Sequence, residues 1–116
     1  MRLGTRKAPE AILCEGYATG LSIQKACDML RLDSAVMVCF SASNLTHVAS
    51  LIRRSSARHF VFADNDESLT GERAAQVTGL PYCMSPVVGE DANDMHARAG
   101  LLAVAKTIMN MRTVIP

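Results

Sequence analysis

The feature that most constrains this chain is its alternation of short, wholly apolar runs with longer amphipathic ones. Residues 11–14 (AILC), 35–40 (AVMVCF) and 59–63 (HFVFA) are too apolar for strands with one face in water. Between them, residues 17–30 carry Leu21, Ala26, Met29 and Leu30 at helical spacing, and residues 44–54 carry Leu45, Val48, Ala49 and Ile52. Strands buried on both faces and separated by helices are βαβ units around a mostly parallel sheet. Asn44 is the expected cap of the second helix. A short helix opens at Thr70-Gly71 and stops at Gly79-Leu80-Pro81. Residues 82–88 hold a weaker fourth strand, interrupted by Pro86 and therefore placed at an edge. A last helix is expected over residues 93–111, with Leu101, Leu102, Val104, Ala105, Ile108 and Met109 on its apolar side. The reading is an α/β domain with a four-stranded, mostly parallel sheet flanked by helices. Residues 1–10 form a loose lead-in, 11–112 the domain and 113–116 a tail.

At 116 residues there is room for one core. The net charge of +1 exerts no global pull on nucleic acid or membrane, so a polyanion must be held locally. Basic residues cluster at Arg2, Arg6 and Lys7, and again at Arg53, Arg54, Arg58 and His59. The second cluster falls where a helix C-terminus is expected and suits its dipole. Cys14, Cys27, Cys39 and Cys83 are spaced for neither zinc nor a disulfide framework, and read as small buried hydrophobes of a reducing cytoplasm. No h-region of a signal peptide and no apolar run of membrane-spanning length is visible.

The acids are the informative residues. Asp64 and Asp66 directly follow one apolar run, and Glu15 directly follows another. In open α/β sheets, functional groups gather beyond the carboxyl ends of the strands, where strand order reverses. With order 2-1-3-4, Glu15 would face Asp64 and Asp66 across one crevice, and Mg²⁺ would relieve the repulsion among three carboxylates. Asp64-Asn65-Asp66 can also be read as an ordinary turn. Asp91 and Asp94 extend the acidic site from the loop after the fourth strand, and Asp94 reads equally as the N-cap or first-turn acid of the last helix. Gly16 would permit close approach of a backbone beside Glu15. His96 is expected exposed in a first helical turn, His47 on a helix surface, His59 at a strand edge. Tyr17 reads as a packing residue before a base-stacking one, and Met29, Met109 and Met111 as core filler. Walker A, GxGxxG and GxSxG signatures are missing, and Leu69 occupies the position where an EF-hand loop requires glycine.

Three segments, Glu15-Gly16-Tyr17-Ala18-Thr19, Ala63-Asp64-Asn65-Asp66 and Asp91-Ala92-Asn93-Asp94-Met95-His96, taken in order and spacing, resemble the Toprim (topoisomerase–primase) domain of phage- and plasmid-type DNA primases. The turn Phe40-Ser41-Ala42-Ser43-Asn44-Leu45 resembles the corresponding segment of that family. The resemblance spans about residues 11–111 and implies a compact Rossmann-like fold, a catalytic Glu15, and a metal-holding Asp64 and Asp66 that take Mg²⁺ or Mn²⁺. It further implies nucleotidyl transfer that makes RNA primers from ribonucleotides on single-stranded DNA, beside zinc-binding or helicase modules. A Toprim-type nuclease, or a non-catalytic interaction module that keeps the fold, is the alternative. Ser41 stands where many relatives carry Asp, and Leu69 near where an Asn often precedes the Gly.

Overall fold

The structure, a computed structural model, describes residues 1–4, 8–52 and 57–113. The elements are β1 (Arg2–Leu3), β2 (Glu10–Cys14), α1 (Tyr17–Met29), β3 (Ser34–Val38), α2 (Ala42–Leu51), β4 (Arg58–Phe62), α3 (Thr70–Thr78), β5 (Tyr82–Cys83), α4 (Ala92–Ala99) and α5 (Leu101–Thr113). They form a five-stranded sheet in the order β1-β3-β2-β4-β5. Strands β3, β2, β4 and β5 run parallel, in the 2-1-3-4 order under which Glu15 and Asp64 become neighbours. The fifth strand comes from the segment read as a loose lead-in. Arg2 pairs with Met37 and Leu3 with Val36, antiparallel along the outer side of β3. Two residues leave too short a pattern for periodicity to reveal.

The inner strands are apolar over most of their length because both faces are covered. On β2, Ile12 and Cys14 point into one layer and Leu13 into the other; on β4, Phe60 and Phe62 oppose Val61 and, just past the end of the strand, Ala63. One layer packs Ile23, Ala26 and Cys27 of α1, Met95 of α4, and Val104, Ala105 and Ile108 of α5. The other packs Leu45 and Ala49 of α2 with Ala75 of α3. The helix faces differ in part from those expected. Leu21, Met29 and Leu102 are exposed, and Met111 carries the packing that Met29 was expected to share. At Gly20 the first helix lies directly on the sheet, where a Cβ would stand 2.6 Å from Val38 Cγ2.

Other boundaries shift for local reasons. The cap of α2 is Ser41, whose Oγ accepts from the Asn44 N–H at 3.0 Å, so Asn44 is the capped residue and not the cap. Asp and Ser are both strong caps, and the departure at Ser41 preserves that role. The fourth parallel strand shrinks to Tyr82–Cys83 at the edge, ahead of Pro86. The single last helix is two, broken at Gly100 (φ 92°, ψ 165°), which no amphipathic pattern records. Arg58 lies on a strand, its guanidinium 5.2 Å from the Phe60 ring centre, and not at a helix end. Arg6, Lys7, Arg53 and Arg54 lie outside the described residues. At the far end of the sheet, buried Glu10 accepts from Arg112 at 3.2 Å, tying α5 to the start of β2.

Candidate active site

The carboxyl ends of β2 and β4 are neighbours, and each is followed at once by acid. Glu15 leaves β2 one residue before Gly16, the cap of α1; Asp64 leaves β4 after Ala63. The Glu15 and Asp64 carboxyl groups come within hydrogen-bonding reach of each other, and Asp66 is close enough to raise the Glu15 pKa further. Burial is the first cause of the upward shift of Glu15, Asp66 the second. Asp64 is pushed up to about 7, by burial first and then by Glu15, Asp91, Asp66 and Asp94. A carboxyl pair in contact at neutral pH can share one proton instead of holding two charges. Asp64 Oδ1 is buried without a hydrogen-bond partner.

The remaining acids around this point have partners of their own. Asp66 receives two long hydrogen bonds from the Gly71 N–H, at 3.4 and 3.5 Å, and thereby serves the N-terminus of α3, where Leu69 offers no capping side chain. Asp91 and Asp94 form a reciprocal capping box on α4: the Asp94 N–H donates to Asp91 Oδ1 at 2.8 Å and the Asp91 N–H to Asp94 Oδ2 at 3.1 Å. Their capping role is therefore observed, and they also line a cleft of about 140 Å³ against Asp64, Asn65 and Asp66. Glu90 on the same wall is taken up by Ser85 Oγ at 2.6 Å and by the fork of Arg98 at 2.5 and 3.0 Å, which hold its carboxyl below the usual range.

Two residues that sequence reasoning passed over shape this cleft. Asn65, buried in the middle of the acidic triplet, donates from Nδ2 to the Ser85 carbonyl at 2.8 Å, and its N–H donates to the Glu90 carbonyl at 3.0 Å. It thus pins the loop that carries Glu90 and Asp91 to the end of β4. Gly71 lies against the Asp64 backbone, where a Cβ would meet the Asp64 carbonyl oxygen at 2.4 Å. A glycine at a helix start was its only signal. Gly16, by contrast, has an ordinary extended backbone (φ −96°, ψ 152°), and a Cβ there would touch Thr19 only at 3.7 Å or more. The protein itself does not require glycine at that position. His96, expected to be free, approaches Ser22 Oγ with Nδ1 at 3.1 Å, which links α4 to α1. A larger cavity, about 400 Å³, opens at the amino end of the sheet among Ala49, Ile52, His59 and Leu80. Among the described residues no acid lines it, whereas the smaller cleft is lined by Asp64, Asp66, Glu90, Asp91 and Asp94.

A family model of the Toprim domain matches residues 10–101. The chain belongs to the Toprim family. Comparison with curated proteins and with solved structures gave no match. Toprim domains are metal-binding catalytic modules that act on nucleic acid, and the donor set here suits such an ion. Glu15 and Asp64 offer hard oxygen ligands, one of them a buried oxygen without any partner. Among the described residues, no three His, Cys, Asp or Glu side chains close into a metal cage of their own. Mg²⁺ does not ask for one, because it binds through one or two carboxylates and completes its shell with water and phosphate. No helix of this Toprim domain is long and apolar enough to cross a membrane, among the described residues.

Proposed function

We propose that this Toprim domain is the catalytic centre of a DNA primase, joining ribonucleotides into primers on single-stranded DNA. The observation that carries the reading is the meeting of Glu15 and Asp64 at the carboxyl edge, with Asp64 held near pKa 7 and one oxygen unpartnered. Asp64 and Asp66 are the residues that would hold Mg²⁺ or Mn²⁺, with Glu15 either completing the shell or accepting the proton of an attacking 3′-hydroxyl. A bound divalent ion supplies neutralisation of the triphosphate and of the charge that develops on it. Glu15 suits the proton-accepting role because burial, and then Asp66, raise its affinity for a proton.

The primase-like form of Glu15-Gly16-Tyr17-Ala18-Thr19 favours polymerisation over cleavage. The purified protein, incubated with single-stranded DNA, ribonucleotides and Mn²⁺, is expected to produce short ribonucleotide oligomers that Glu15→Gln abolishes. Shortened DNA with no oligomers would assign a Toprim nuclease instead. Neither product, even with zinc-binding or helicase modules added, would assign a non-catalytic interaction module.

A further inference from the structure

The chain has five aromatic side chains, three Phe and two Tyr. Phe60 and Phe62 are buried in the core, and Tyr82 is half-buried with its hydroxyl donating to Glu72 Oε2 at 2.8 Å. The two that stand in solvent are Tyr17, 48% exposed, and Phe40, 60% exposed. Both adjoin Glu15. Tyr17 opens α1 two residues beyond it, and the Phe40 N–H donates to the Glu15 carbonyl at 2.7 Å. Low aromatic content argues against a stacking surface only if the rings are scattered, and here every exposed ring is at one place.

Phe40 is also held in the left-handed region, at φ 72°. Glycine enters that region freely, whereas a bulky side chain there is strained. A ring that is both strained and exposed gains little from the core in return, and such outliers gather at functional sites. The surroundings narrow the occupant. Both rings belong to residues beside Glu15, so the exposed apolar surface adjoins a charged residue. A flat base joined to phosphate fits both halves of that surface. The net charge of +1 adds little attraction for a polyanion, so contacts that do not depend on charge must contribute.

We propose that Phe40 and Tyr17 form a stacking platform for an unpaired nucleobase whose attached phosphate lies at the acidic cleft. This rests on the nucleic-acid reading of the Glu15–Asp64 site. Stacking tolerates any base, since each presents a π face. The platform therefore grips single strands or incoming nucleotides without reading sequence.

The test uses the intact chain, Mn²⁺, low salt and a fluorescent single-stranded oligothymidine, beside the same strand carrying abasic residues. Phe40→Gly is expected to melt at a higher temperature than the parent, because the left-handed strain is relieved, and to bind the strand about tenfold more weakly. Phe40→Trp should retain the affinity. The abasic strand should bind the parent about as weakly as the normal strand binds Phe40→Gly. Equal affinity of Phe40→Gly and the parent, or of the abasic and normal strands, would overturn the platform. If the parent still binds Mn²⁺ by calorimetry in that event, the metal-site reading survives alone. A parent that binds neither Mn²⁺ nor any strand would remove both.

Discussion

At the scale of single residues, what sets Asp64 apart is what its neighbours are already doing. Glu90 is spent on Arg98 and Ser85, Asp91 and Asp94 on each other, and Asp66 in part on the start of α3. Asp64 keeps a buried oxygen without a partner. Asp64→Asn is therefore expected to weaken Mg²⁺ or Mn²⁺ binding by roughly tenfold or more, read by calorimetric titration, while the fold is kept. Unchanged affinity would remove Asp64 from the metal site. A second expectation concerns pH in the absence of metal. The Asp64 carboxyl binds its proton more tightly folded, at about 7, than at its ordinary 3.8, so between those values the native state holds more protons than the unfolded one. The contribution of Asp64 to stability in EDTA should be full below about pH 4 and be lost as pH rises through 7, so stability should fall less across that range in Asp64→Asn. Parallel profiles for the two proteins, measured by urea unfolding across that range, would contradict the assignment.

At the scale of elements, two glycines do different work, and substitution separates them. At Gly20 an added methyl meets the Val38 side chain, at 2.6 Å from Cγ2, between α1 and the sheet. Gly20→Ala should cost about 1–3 kcal/mol in stability, by overpacking, with little change in metal affinity. At Gly71 the methyl meets the carbonyl oxygen of Asp64 at 2.4 Å, and backbone cannot turn aside as a side chain can. Gly71→Ala should thus shift the start of α3 and Asp64 together, and reduce metal affinity nearly as far as Asp64→Asn does. Calorimetry beside thermal melting distinguishes the two effects. Equal metal binding in all three proteins would show that α3 does not set the position of Asp64.

For the whole molecule, the balance of charge is the governing quantity. A net charge of +1 offers a nucleic-acid backbone little attraction, and the acidic cleft repels it until a cation is bound. The isolated chain is expected to bind single-stranded DNA weakly and with a steep dependence on salt. Little primer synthesis is expected until zinc-binding or helicase modules supply a basic track. Strand affinity measured across a salt series, and primer synthesis measured with and without such modules, test this. Robust synthesis by the chain alone, lost in Glu15→Gln, would show the domain to be sufficient.

The sequence by itself determined the layers and the four parallel strands, because strands covered on both faces are largely apolar and the connecting helices must be amphipathic; the strand order came from the pairing. The sequence also marked Glu15, Asp64 and Asp66, because acids directly after buried strands have few structural reasons to be there. Only the tertiary structure decided that Arg2 and Leu3 add an antiparallel edge to β3, since a two-residue strand takes its pairing from its neighbour and not from a period. The break at Gly100 was likewise hidden, because the apolar pattern runs on through it while the backbone does not. The roles of Asn65, Gly71, Phe40 and the Asp91–Asp94 box follow from contacts between segments far apart in the chain, or from a backbone angle that side-chain chemistry does not report. A residue type states which bonds a side chain can make. Which of them it has already made is set by packing, and that decides which acid remains available for a ligand.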